Sequence, residues 1–328
     1  MFKIGVVGYR NHAKRIIDIV NNSNYALVNK IFHQSKTLDI PEFTNDIEDL
    51  IKCDAIMILS PNNTHLEYLD YLSTHKYDSY IFCEKPPVSS LKQLSSLLKL
   101  KLNPNHVYFN FNFLFCQIKE IYDKYTSNGI LGKPNHMHVY LTQGLAFKEK
   151  YINSWRANTG PHKHGITETK AIHWIHLANH FFGEIESYSY FPKNYSENSN
   201  AHDTCYLSLY YKNGVSVNLF LSYAAPYDYD ISLVGTNGYI KYRNNVIRVF
   251  SPRDTFDKNG LFSSPPCINE YDYNNTGNSM YIESLERSVN YFLKICRDSK
   301  IFPNNLFSDS IEVNRFLLGL YDKTDEVN

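Results

Sequence analysis

Short apolar runs alternate with amphipathic stretches through the first third of this 328-residue chain, and that rhythm narrows its possible folds most. Strand-like runs fall at Lys3 to Gly8, Ala26 to Phe32, Ala55 to Leu59 and Tyr80 to Phe82, with helix-like segments at about Ala13 to Val20 and after His65. Such alternation predicts a doubly wound parallel sheet, with its ligand crevice at the carboxyl ends of the strands. Three motifs lie at those ends: Gly5-Val6-Val7-Gly8, Ser60-Pro61-Asn62-Asn63-Thr64-His65 and Cys83-Glu84-Lys85-Pro86-Pro87. In the last, a lysine fixed between an apolar strand and a proline is a candidate acid or base rather than a solvated charge.

From about Lys119 the rhythm changes. A helix runs through Tyr125, a strand covers His136 to Leu141, and two alternating runs, Thr204 to Tyr211 and Val215 to Ser222, are joined by Lys212-Asn213-Gly214. An Asn-Gly step supplies the positive φ a tight turn needs, so these runs predict a hairpin. Further strands at Tyr229 to Val234 and Tyr239 to Tyr242 flank Gly235-Thr236-Asn237-Gly238; Thr255 to Gly277 reads as a polar loop and Met280 to Ile295 as a long amphipathic helix. The expected division is an α/β Rossmann domain over residues 1–118 and an α+β domain over 119–328 with a mainly antiparallel open sheet.

Lys+Arg and Asp+Glu are equal at 33 each, so no net field draws a polyanion, and no basic run suggests nucleic acid or an anionic membrane surface. No apolar run approaches the roughly 20 residues a bilayer span requires. Six scattered cysteines, without a Cys-x-x-Cys pair and without a signal peptide ahead of Ile4, read as a reduced, cytoplasmic protein.

The ordered motifs resemble the glucose-fructose oxidoreductase, inositol dehydrogenase and rhizopine catabolism (Gfo/Idh/MocA) family of nicotinamide-dependent oxidoreductases. The family's Pro-Asn-x-x-His turn and Glu-Lys-Pro segment stand here as Pro61-Asn62-Asn63-Thr64-His65 and Glu84-Lys85-Pro86. Asn128-Gly129-Ile130-Leu131-Gly132-Lys133-Pro134, Trp155-Arg156, His173-Trp174-Ile175-His176-Leu177-Ala178 and Gly235-Thr236-Asn237-Gly238 fall where the family has its own segments. The resemblance, which covers nearly the whole chain, implies NAD(P) as cofactor and a hydroxyl or keto carbon of a sugar, cyclitol or nucleotide-linked sugar as the reacting centre. It also implies a homodimer or homotetramer paired through the open sheet of the second domain.

A dinucleotide turn normally reads G-x-G-x-x-G; here the frame is Gly8-Tyr9-Arg10-Asn11-His12-Ala13. Gly8 keeps the first glycine, Ala13 is a small substitute for the third, and Arg10 replaces the middle one. Arg10 either pairs with the pyrophosphate or occupies its place, and the retained helix N-terminus favours binding. After the second strand stands Phe32-His33-Gln34-Ser35-Lys36, where His33 joins the cofactor-binding set; with no carboxylate to repel a ribose phosphate, and with Ser35 and Lys36 as donors, NADP is mildly favoured over NAD. Ser60, Pro61 and Asn62 line the cofactor cleft in the family, as do Glu84 and Lys85. His65 joins this set, although its place at the start of the next helix suits a structural histidine.

Oxidising an alcohol carbon needs a base for the hydroxyl proton, and Lys85 is the first choice. In the family a second-domain helix carries an Asp and, four residues on, a His that face the substrate; the matching positions are Thr169 and His173, with Glu168 turned off that face. The histidine is kept and the carboxylate is lost. Lys85, Trp155, Arg156, Thr169 and His173 form the expected substrate set. The nearby His162, His164, His176 and His180 lack a completing carboxylate or thiolate, so no metal is expected. Arg10 and Thr169 also leave open a catalytically silent member that acts as a nucleotide-binding sensor or heteromeric partner.

Overall fold

Parallel strands form wherever the first third of the chain carries its apolar runs. The fold is described from a computed structural model over residues 1–154, 156–157, 165–253, 255–274 and 279–325, with side chains through Tyr321. Two compact units emerge, one made of residues 1–112 together with the chain from Ser284 onward, the other of residues 113–283.

In the first unit the elements run β1 (Phe2–Val7), α1 (Asn11–Asn21), β2 (Ala26–Phe32), β3 (Phe43–Thr44), α2 (Glu48–Ile51), β4 (Ala55–Ile58), α3 (His65–Thr74), β5 (Tyr80–Cys83), α4 (Leu91–Leu97) and β6 (Val107–Phe109). All strands are parallel, in the order β3-β2-β1-β4-β5-β6. Ile4, Val6, Ala55, Met57 and Phe82 have no exposed surface, as expected of strands covered on both faces. The order turns between β1 and β4, and such a switch point opens a crevice at the strand ends.

The second unit contains α5 (Gln117–Ser127), β7 (Pro134–Thr142), α6 (Glu149–Ile152) and a π-helical turn over Thr167–Ala171 that leads into α7 (Ile172–Phe182). Seven more strands follow, β8 (Ile185–Lys193), β9 (Thr204–Tyr211), β10 (Ser216–Ser222), β11 (Asp228–Gly235), β12 (Tyr239–Arg243), β13 (Val246–Phe250) and β14 (Cys267–Asp272). They join β7 in one sheet of order β14-β13-β12-β11-β7-β10-β9-β8, antiparallel except for the central β7–β10 pair. Val139, Leu141, Leu207, Leu209, Val217 and Leu219 point to the buried face, where α7 lies: Tyr211 donates to Asn179 Oδ1 at 2.8 Å and its ring meets Phe182. On the opposite face Tyr206, Phe220 and Tyr140 stand directly across β9, β10 and β7, with ring centroids 4.8 and 5.0 Å apart.

The long helices α8 (Met280–Arg297) and α9 (Asn304–Asp325) close the chain. From Ser284 on they belong to the first unit, whereas the sequence boundary at 118/119 assigns them to the second domain. The reason is aromatic packing: Phe292 meets Phe82 and Phe302 meets Tyr108, each at 5.3 Å, while Asn314 on α9 exchanges two hydrogen bonds with the Val88 backbone. An amphipathic pattern shows that a helix buries one face but not against which sheet. The predicted hairpin forms as β9–β10, whereas the expected loop at Thr255 to Gly277 contains β14, an edge strand whose polar outer residues hide the alternation. The segments Asn128–Pro134 and Gly235–Gly238 brace each other, Asn237 N donating to Leu131 O and Lys133 N to Thr236 Oγ1, both at 3.0 Å.

Candidate active site

Gly8 follows β1 with φ +98°, and a Cβ there would sit 2.9 Å from the Leu59 carbonyl oxygen, so only glycine lets the chain leave β1 this close to the end of β4. Ala13 is fully buried, which meets the packing need of the third glycine position. Arg10 caps α1 with φ −88° and ψ 174°, ordinary extended backbone, so the arginine carries no conformational strain. A cleft opens beside this turn, lined among others by Gly8, Tyr9, Arg10, His33, Ser35 and Ser60. No carboxylate lines it. Burial, then the charges of Lys36 and Arg10, hold the His33 imidazole below its ordinary pKa. A helix N-terminus, a glycine turn and an acid-free wall fit the phosphate and adenosine portions of a dinucleotide.

Beyond β4 the backbone makes a short 3₁₀ turn over Asn62–Thr64, held by Thr64 Oγ1 donating to Pro61 O and by the Ser60 to Thr64 hydroxyl pair, both 2.7 Å. His65 has no exposed surface; Nδ1 lies 2.8 Å from Pro86 O and Nε2 3.1 Å from Ser60 O. It is therefore a brace between the turn and the Lys85–Pro86 segment, and no surface of it reaches the cleft.

Glu84, one residue beyond β5, is buried in a directional network. Tyr108 donates to Ser288 Oγ at 2.6 Å, Ser288 to Asn110 Oδ1 at 2.7 Å, and Asn110 Nδ2 to Glu84 Oε1 at 2.7 Å. His12, on the first turn of α1, reaches the same oxygen at 2.9 Å. Burial alone would raise the Glu84 pKa, but the His12 charge, the two hydrogen bonds and the Lys85 charge together lower it. Lys85 itself is half-buried and joined to Pro86 by a cis peptide. The strand end thus holds a fixed carboxylate and, beside it, a partly accessible ammonium.

In the second unit Thr169 sits in the π-helical turn, buried, its Oγ1 donating to Gly165 O at 3.0 Å and accepting from Tyr223 at 2.7 Å. Gly165 is obligatory there because a Cβ would fall 1.9 Å from His202 O. His173 is also buried and stacks on Phe113 at 4.6 Å, with Phe113 edge-on to Trp174 at 4.8 Å. Arg156 is exposed, and its charge opposes the burial that raises the Tyr223 and Tyr151 pKa values, the latter to about 12. Arg156, Thr169, Tyr223 and Tyr151 therefore gather in one region, and Tyr223 is the member the sequence did not announce, since it follows β10 without any motif. Trp155, His162 and His164 lie outside the described residues. Glu168 is buried next to Thr169, and among the described residues no group of three or more His, Cys, Asp or Glu side chains could hold a metal ion. Nor, among them, is any helix long and apolar enough to cross a membrane.

Residues 2–110 match the oxidoreductase family with an NAD-binding Rossmann fold, and residues 117–241 match the GFO/IDH/MocA C-terminal domain. No curated protein matches the sequence. Among solved structures, a dehydrogenase from Chromobacterium violaceum is similar at TM-score 0.77 and 16% identity, over 100% of this chain and 96% of the other. A levoglucosan dehydrogenase bound to NADH and levoglucosan aligns at TM-score 0.73 and 16% identity over 95% and 94%, and a myo-inositol dehydrogenase from Corynebacterium glutamicum at 0.71 and 15% over 97% and 94%. At these identities the structures speak to fold, whereas the two family matches, with the Rossmann cleft and the eight-stranded sheet, decide membership: the chain belongs to the Gfo/Idh/MocA oxidoreductase family.

Proposed function

We propose that the protein is an NAD(P)-dependent dehydrogenase or reductase acting on a hydroxyl or keto carbon of a sugar, cyclitol or nucleotide-linked sugar. Lys85 is the acid-base group and His173 its partner. The observation that carries this reading is Lys85 itself, half-buried in the family's Glu-Lys-Pro motif and next to a Glu84 carboxylate already committed to His12 and Asn110. With Glu84 so engaged, Lys85 is the motif's group for moving the substrate hydroxyl proton. Bound nicotinamide supplies the hydride chemistry. The sugar-like substrate class is supported by the neighbours that act on inositol and levoglucosan.

The acid-free cleft favours NADP, with Ser35 and Lys36 as donors to a ribose phosphate. Arg156, Thr169 and, by sequence, Trp155 complete the substrate set, Tyr223 holding Thr169 in place. A second copy of the chain is the expected partner, paired over the Tyr206–Phe220–Tyr140 face, because an uncovered aromatic ladder gains by burial. A screen of polyols and sugars with NAD and NADP, read by absorbance of the reduced nicotinamide, tests the proposal. Turnover that Lys85→Ala removes supports it.

The silent-binder alternative keeps one observation in its favour: the Thr169 hydroxyl is already engaged by Gly165 and Tyr223. Saturable cofactor binding without turnover across the screen would select it.

A further inference from the structure

We infer that Arg10 is one jaw of a clamp for a phosphate monoester on the 2′ oxygen of the adenosine ribose, Ser35 and Lys36 forming the other, rather than a ligand of the pyrophosphate. This assignment rests on the NAD(P) reading above and names the residue that makes the choice between the two cofactors.

Four observations converge. The Gly8 amide donates to Phe32 O at 2.9 Å, so the turn carrying Arg10 and the end of β2 carrying His33 to Lys36 are held side by side. Arg10, His33, Gln34 and Ser35 line the same cleft. Among the described residues neither the Arg10 nor the Lys36 side chain has a hydrogen-bond or ion-pair partner; both are exposed, Arg10 lining the cleft and Lys36 standing one residue beyond Ser35 of its wall. Finally, the His33 ring accepts from Ser35 N through Nδ1 at 3.3 Å, which leaves Nε2–H as a donor.

Two unpaired cations and a neutral imidazole donor crowd one another; His33 is held below its ordinary pKa by burial and then by Lys36 and Arg10. Like charges gathered around a concavity without a carboxylate are relieved by an anion, and a guanidinium fork matches phosphate oxygens bidentately. A ribose diol, with hydroxyl donors to offer, finds no carboxylate acceptor among the residues lining this cleft.

Isothermal titration of the full chain with 2′,5′-ADP and with 5′-AMP, which differ only in the 2′-phosphate, separates the roles without any need for turnover. The wild type is expected to bind 2′,5′-ADP more tightly, and Arg10→Ala and Lys36→Ala each to weaken it by about tenfold while changing 5′-AMP affinity less than about twofold. If Arg10→Ala weakens both ligands equally, Arg10 serves the 5′-phosphate side and the clamp is overturned. Tighter binding of both would make Arg10 a blocking group, again overturning it. Should Lys36→Ala alone lose the 2′-phosphate preference, the clamp fails while the NADP reading stands. A wild type without that preference removes both.

Discussion

His12 Nε2 lies 2.9 Å from Glu84 Oε1, so the first turn of α1 is tied directly to the residue before Lys85. Glu84→Leu would strand Asn110 Nδ2 in the interior and release His12. An unsatisfied buried donor costs about 1–3 kcal/mol, and we expect that loss in urea unfolding. A stability within about 0.5 kcal/mol of wild type, the range of an ordinary surface change, would contradict the network.

Gly8→Ala forces a Cβ to 2.9 Å from Leu59 O at φ +98°. Strain of this kind costs about 1–3 kcal/mol, and because the turn itself must move, cofactor affinity should fall with stability. Unfolding curves and a nucleotide titration of the same variant check both.

Much of this was legible in the sequence, for reasons that can be named. The Rossmann strands announced themselves because burial on both faces leaves continuous apolar runs such as Ala55–Ile58, and the hairpin did so because Asn213-Gly214 admits few other conformations. Positions with fixed backbone demands, Gly8 and Pro86, were readable for the same reason. The return of α8 and α9 to the first unit was not, since Phe292 and Phe302 look like any core face. Tyr223 was equally hidden, because its partnership with Thr169 spans 54 residues and depends on a π-helical turn with no sequence mark.

Thr169 and Tyr223 form a buried hydroxyl pair at 2.7 Å. Thr169→Val and Tyr223→Phe should each cost about 1–2 kcal/mol, while the double variant costs less than their sum, with a coupling of about 0.5 kcal/mol or more. Simple additivity in a double-mutant cycle would mean the pair contributes nothing.

His176 is buried, and burial followed by the charge of His180 lowers its pKa from 6.5 to about 3. The unfolded chain protonates this ring below its ordinary value whereas the folded chain does not, so its contribution is complete above about pH 6.5 and is lost as pH falls toward 3. Between pH 7 and 4.5 we expect His176→Gln to lose about 2–2.5 kcal/mol less stability than wild type. Parallel urea midpoints for the two proteins would contradict the burial assigned to this ring.

Phe220 is flanked by Tyr206 and Tyr140 on the sheet face opposite α7. A lysine there would place a charge within the proposed subunit interface, and Phe220→Lys should convert the assembly to monomers with little change in fold. Light scattering after gel filtration, with circular dichroism as control, reads the outcome.

The most direct test of the cofactor site is a titration of the purified protein with NADPH and NADH, followed by nicotinamide fluorescence. Saturable binding is predicted, tighter for NADPH, and retained in Lys85→Ala. The absence of binding to either nucleotide would contradict the account at its centre, making Arg10 an obstruction of the cleft and leaving Lys85 without a hydride partner.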